Sequence, residues 1–455
     1  MSWLQILLLL LAAYALIASY IKEKGLFADH IMFFGPIMAI KTEKVGFFDW
    51  FIRFKRILQG YGTLGAVMVV FIAGFFTLLL LLALPGFLTN TPSAEGIHGI
   101  QNVLALPGVN DAIPFTVAVW LGLVATIVIH EFGHAILARV EGMRVKSMGL
   151  LIAVIPLGAF VEPDEEDVEQ AKGMPKIRMF GAGIANNLVA AVACFVVMFL
   201  LLGTAVPSGA PLIDGVYVDY PAADAGVPGL SVVTAVNGVP VATQEEVSAI
   251  MDRTSPGDEV ALTVEKDGVP ETYTMTLAEW PEALASDRDS GFLGVYYYNG
   301  AAVQARLDAI AGMGPLAPLV MLMAPFDAFI PNAETGAVDT LGLSVLLVDT
   351  PKTIGWDVPF PGFWAIIQIL FWTAWFNLAV GTFNALPFVP LDGGYIMKEG
   401  IERIFERRGW SQYAPRVVAS ISMFMILIIV LFMTLPTIKG IVVPFITGTL
   451  LPALF

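Results

Sequence analysis

The densest concentration of reactive side chains is His130-Glu-Phe-Gly-His134. In an α-helix, positions i and i+4 share a face, so both imidazoles can close on one metal ion. Glu131, one position round, can then reach a water beside that ion, which is the physical content of H-E-x-x-H as a zinc-hydrolase motif. A catalytic zinc takes three protein ligands. The two other histidines, His30 and His98, fall in loops expected on opposite sides of a membrane. A better third ligand lies far downstream, in Asn384-Ala-Leu-Pro-Phe-Val-Pro-Leu-Asp392-Gly-Gly394. Its prolines break a helix and free backbone groups, and Asp392 supplies a carboxylate oxygen.

The elements that must position these groups are membrane helices. Of 455 residues, 57% are hydrophobic and 14% charged, with a mean hydropathy of +0.77; soluble domains carry about 25% charged residues. That excludes a soluble cytosolic enzyme. One cysteine, Cys194, allows no intrachain disulfide, and a net charge of −15 argues against nucleic-acid binding. Runs of about 20 apolar residues read as membrane spans: Trp3–Tyr20, Thr63–Leu88, Phe115–Ala138, Met179–Leu202 and Val417–Leu435, with Phe363–Leu386 as a sixth that has a polar end. The first run is followed by Lys22 and Lys24, which predicts a retained anchor with its N-terminus outside. Ionisable residues inside a span, as at His130, Glu131 and His134, are costly and functional by default.

Basic residues in short loops mark the cytoplasmic side. Segment 21–62 holds seven, 87–114 none, and Arg139, Arg144 and Lys146 follow the HEFGH helix. The region from about 205 to 360 is therefore expected outside. Within it, residues 206–300 carry three basic against fifteen acidic side chains, so the chain's acidity is largely external. Met313–Ile330 is read as external or surface-lying. His130, close to Arg139, and Asp392, at the end of a span running the same way, both fall in the cytoplasmic half.

Residues 210–278 read as short β-rich runs, with a hairpin at Val260–Val264, Asp267-Gly268 and Thr272–Thr276. Pro221-Ala-Ala-Asp-Ala-Gly226 and Val232-Val-Thr-Ala-Val-Asn-Gly238 resemble the PDZ modules of membrane-associated proteases, although Leu230-Ser231 stand where Gly-Asp is usual. The pair His130-Glu-Phe-Gly-His134 and Asn384-x-x-Pro387 through Leu391-Asp392-Gly393 resembles the site-2 protease family of intramembrane zinc metalloproteases. The resemblance covers about 115–204 and 363–400. It implies one zinc per chain on His130, His134 and Asp392, with Glu131 as the base. A weaker element, Ala182-Gly183-Ile-Ala-Asn-Asn187, has Ile184 in place of the family's proline, and Asn186 precedes the matching asparagine. Through it Asn187, with Asn384, becomes a candidate substrate-binding or oxyanion donor. Met148–Val161 resembles the family's membrane re-entrant β-hairpin. Glu162–Glu169 reads as a solvated acidic face.

The expected architecture is thus a multi-span α-helical membrane protein of the plasma membrane, with a membrane re-entrant β-hairpin and an inserted β-rich PDZ-like external domain. Its parts are an anchor and basic segment (1–62), a second span and loop (63–114), a first core part (115–204), the PDZ-like domain (205–300), a connector (301–362), a second core part (363–400) and a last loop and span (401–455). The expected activity is zinc-dependent hydrolysis within transmembrane segments, with single-span membrane proteins as substrates, lipid as surroundings and no nucleic acid. The rivals are an inactive scaffold or quality-control adaptor that keeps the fold, and a metal transporter, which would spread its ligands over several helices and internal repeats.

Overall fold

The computed structural model describes residues 3–28, 30–91, 98–103, 105–153, 155–285, 288–332 and 337–442. Two compact units emerge, one comprising Met1–Phe195 and Ile369–Phe455, the other Val196–Pro331 and Gly336–Gln368. The first unit begins with α1 (Trp3–Lys24) and a pair of strands, β1 (Ile31–Phe34) and β2 (Ile37–Thr42), followed by a 3-10 turn over Gly46–Phe54 and the long α2 (Lys55–Thr89). Next come α3 (Val117–Val140), β3 (Val145–Ala153), β4 (Ile155–Pro163) and α4 (Met174–Leu202). Thr116 caps α3, accepting the Val119 N–H.

A hairpin was expected within 148–161, and β3 and β4 form one. It is larger than expected because β1 and β2 extend it to a four-stranded antiparallel sheet in the order β1-β2-β3-β4, with Ile40 opposite Leu150 and Leu150 opposite Ala159. Segment 21–62, read only as basic and cytoplasmic, hid this strand pair. Arg144 and Lys146 hold the base of the hairpin against Asp164, and Arg144 also pairs with Asp167. The hydrogen bond from Arg144 holds the Asp167 carboxyl down to about 2. The acidic run is thus partly a clasp.

The second unit is built on β5 (Leu212–Val216), β6 (Ser231–Val236), α5 (Gln244–Met251), β7 (Glu259–Lys266), β8 (Val269–Thr276) and β9 (Val295–Tyr297). The sheet order is β8-β7-β6-β5-β9, with Val239–Pro240 pairing on β6. The expected hairpin is β7–β8. Asp267 and Gly268 turn it with φ of 53° and 77°, as a two-residue primed turn requires. A capping box of Thr243 and Glu246 starts α5, whose Val247 and Met251 join Ile213, Val233 and Leu262 in the core. After α6 (Gly300–Gly312), the stretch 313–330 makes only short helical pieces. The connector is fastened by Lys352, with Nζ 2.7 Å from Asp339 and 3.0 Å from Asp214 of β5. Burial works against the charge on Lys352, yet the two carboxylates hold its pKa above the ordinary lysine value.

The first unit resumes within α7 (Phe363–Asn384) and continues through α8 (Asp392–Arg407) and α9 (Ala414–Thr437). Five helical segments are long and apolar enough to cross a membrane, Gly46–Thr89, Val117–Val140, Met174–Leu202, Phe363–Asn384 and Ser411–Gly440; the pair Gly300–Gly312 and Gly314–Phe329, bent by 108°, makes a sixth if counted as one span. In α2 only 6% of the most apolar window is buried within the protein, against 61% in α7. The exposed Val67, Phe71, Leu78 and Leu82 of α2 therefore need an apolar solvent, whereas α7 is an interior element. Helices around the site meet through small residues. A Cβ on Gly133 of α3 would lie 2.6 Å from the Ala182 carbonyl of α4, and one on Gly122 would lie 2.8 Å from the Thr373 nitrogen of α7.

Candidate metal centre

α3 carries His130 and His134 on one face because their spacing matches its turn. The side chain of Asp392, at the first position of α8, arrives from across the break after α7. That first turn fits because Gly393 and Gly394 lie against the backbone of Ala385 and Phe388, where side chains would collide. His130 Nε2 and His134 Nε2 are 3.1 Å apart, and Asp392 Oδ2 lies 3.1 Å from the first and 3.3 Å from the second. Among the described residues this is the one group of three or more metal-ligating side chains.

Two features test whether a metal fits here. Tetrahedral zinc ligands at bond lengths of about 2.0–2.1 Å stand roughly 3.3–3.4 Å apart, close to the edges of this triangle. Gly183 of α4 packs against both rings, and only the lack of a side chain keeps that side of the triangle clear; a Cβ there would lie 2.5 Å from His134 Nε2 and 2.8 Å from His130 Cε1. The donor set suits zinc. Gly183→Ala should place a methyl group against both rings and weaken zinc binding by about 10-fold, the scale of losing a supporting group at such sites. Competition against a chelator measures it, and wild-type affinity in the variant would remove Gly183 from the cradle.

The surroundings set the ligand atoms. His134 Nδ1 lies 2.9 Å from the Met179 carbonyl, so Nδ1–H donates there and Nε2 keeps its lone pair. His130 Nδ1 faces the buried Asn187 amide, with Nδ2 at 3.2 Å. Glu131 is half-buried, and its Oε2 accepts the Val161 N–H of β4 at 3.0 Å. A cavity of about 840 Å³ opens beside the site. Phe160 and Val161 of β4 line one side of it; Met179, Phe180 and Tyr395 line the other. Phe180 and Tyr395 stack with centroids 4.7 Å apart, and Phe180 meets the His134 ring edge-on at 6.4 Å.

The structure therefore brings His130, His134 and Asp392 together and sets Asn187 behind His130. Asn384 ends α7 half-buried, and its side chain makes no hydrogen bond among the described residues. Sequence reasoning noted Asn186 only as the neighbour of Asn187 and gave it no role; its amide accepts the Tyr61 hydroxyl at 2.8 Å and donates to the Ile129 carbonyl at 3.0 Å. Sequence reasoning passed over Gly183, and over the Met179 carbonyl and Val161 N–H, which any residue type supplies.

Residues 118–429 match peptidase family M50. A Mesorhizobium japonicum protein provisionally named a zinc metalloprotease is 24% identical over 333 residues, 63% of this chain and 88% of that one. Zinc metalloprotease RasP of Shouchella clausii is 29% identical over 237 residues, 50% of this chain and 51% of its own. An Arabidopsis thaliana membrane-bound transcription factor site-2 protease homolog is 27% identical over 152 residues, covering 33% and 28% of the two chains. The match spans more than half of the chain and contains the whole histidine–aspartate triangle, and the chain belongs to peptidase family M50, the site-2 protease family.

Proposed function

We propose that this chain is a zinc-dependent intramembrane endopeptidase that hydrolyses a peptide bond within the transmembrane segment of single-span, membrane-anchored proteins, as in regulated intramembrane proteolysis. The observation that carries this reading is the convergence of His130 Nε2, His134 Nε2 and Asp392 Oδ2 between helices apolar enough to cross a membrane. Zinc, bound by these three residues, supplies Lewis acidity that brings the pKa of a water to about 7. Glu131 takes the water's proton and passes it to the leaving amine. Its hydrogen bond from Val161 aims the carboxylate from the β4 side. Asn384, with its amide uncommitted, donates to the substrate backbone or to the developing oxyanion.

A helical substrate has its backbone bonds satisfied internally, so it must unwind before attack. Among the described residues β4 has β3 on one side and no strand on the other, and we assign the β3–β4 hairpin a re-entrant position in which that edge holds the unwound strand along the apolar cavity. The acidic second unit, read as PDZ-like and external, serves as a gate for bulky substrate ectodomains. The basic residues after α3 favour a site in the cytoplasmic half. Against an inactive scaffold stands the intact set of three ligands and base.

The test incubates purified protein in detergent with single-span substrates, with and without a zinc chelator, and maps products by mass spectrometry. Cleavage should be chelator-sensitive, release the cytoplasmic portion and favour segments with Gly, Asn or Pro near the cut. A cut in the outer half would mean that the orientation is inverted, and equal cleavage of poly-Leu and Gly-containing segments would mean that unwinding does not limit the rate.

A further inference from the structure

A neutral imidazole that ligates through Nε2 must carry its proton on Nδ1. For His134 that proton has a destination, the Met179 carbonyl. For His130 the neighbouring atom is the wrong one. The amide nitrogen of Asn187 faces Nδ1 at 3.2 Å, while Asn187 Oδ1 is buried with no hydrogen-bond partner. In this arrangement Nδ2 donates to a bare Nδ1, which puts the ring proton on Nε2, the atom that a metal would need. With Nε2 used as a ligand, the Nδ1–H would meet an N–H donor head-on.

A half-turn of the amide exchanges its oxygen and nitrogen, which are nearly isosteric. Oδ1 then accepts from His130 Nδ1–H. We infer that Asn187 is a positioning residue for His130, its carbonyl oxygen accepting from Nδ1–H and so selecting the tautomer that leaves Nε2 free to ligate. This parallels the outer partners that orient metal-ligating histidines and raise their basicity. It gives Asn187 a different task from the substrate or oxyanion donor suggested by the motif. The neighbouring Asn186 secures the backbone side of the same residue, since its amide donates to Ile129, immediately before His130, and accepts from Tyr61 of α2. One asparagine holds the helix in place and the next orients the ring. Asn187 itself is 0% exposed, so water does not supply the missing acceptor from bulk.

The inference rests on the metal centre proposed above, and the experiment separates the two. Zinc affinity is measured by chelator competition for the full-length wild type, Asn187→Asp and Asn187→Leu, with folding checked by circular dichroism and turnover recorded in parallel. Asn187→Leu, which removes the acceptor at similar volume, should weaken zinc binding roughly 10–100-fold. Asn187→Asp, which keeps an acceptor, should bind at least as tightly as the wild type. A packing role predicts the reverse order, with Leu tolerated and the buried carboxylate not, and that result overturns the inference. So does unchanged zinc affinity in both variants with turnover lost, which would return Asn187 to the substrate. Should Asn187→Leu fail to fold, Asn187→Asp decides alone, because a 10-fold loss of affinity in it contradicts the acceptor role. A wild type that binds no zinc would instead remove the metal centre itself.

Discussion

Glu131→Gln is expected to lower turnover by about 10²–10⁴-fold, the usual contribution of a positioned general base, and to leave zinc content at the wild-type level. The two halves of that result have separate causes. Gln keeps the shape of Glu and an oxygen that can accept the Val161 N–H, so β4 and α3 stay joined and the ligand triangle is undisturbed. What Gln lacks is the capacity to hold a proton between its removal from water and its delivery to the amine. Metal analysis and single-turnover cleavage of one preparation check both halves. Turnover near the wild-type level would take Glu131 out of the mechanism, and loss of zinc would make it a ligand.

Asp392→Ala should bring zinc content from one per chain to nearly none, a larger loss than the roughly 10–100-fold cost of removing an outer partner. The two imidazoles alone leave a catalytic zinc one protein ligand short, and the alanine methyl offers nothing in place of Oδ2. The carboxylate also sits on the first residue of α8, where the positive end of the helix dipole favours its charged form. Asp392→Asn should therefore retain part of the affinity through its neutral oxygen. His134→Ala should behave like Asp392→Ala. Unchanged stoichiometry in both alanine variants would sink the assignment of the triangle.

The legible part of this protein is the part whose physics is local. Residues His130 and His134 are brought together by helical period alone, and the span lengths follow from apolar runs. Asp392 could be matched to them in depth because both ends of its break were marked, by an apolar run before and by prolines within. Two kinds of information were not local. The strands at Ile31–Phe34 and Ile37–Thr42 are each short, and the Gly35-Pro36 turn between them was masked by the basic character of segment 21–62; their pairing with β3 is a long-range event. Asn187 could be read only from its motif, and its contact with His130 depends on how α4 packs on α3 through Gly133. The early start of α2 at Lys55 is similar. Gln59 lies below the apolar run and donates to Glu141, the cap of α3, which also binds Arg178 of α4, itself bonded to Thr63, and that clasp is long-range.

The hydrogen bond between Val161 and Glu131 has a further meaning as an interlock. A backbone N–H well aligned to one acceptor cannot serve a second equally well. At this rung of β4 the donor is already committed to the Glu131 carboxylate, so an incoming strand that extended the ladder through Val161 would have to displace the carboxylate. On the proposed reading, the bond that aims Glu131 before a substrate arrives is the one that a strand at that rung would exchange, so occupancy of the rung and the freedom of the carboxylate would be coupled.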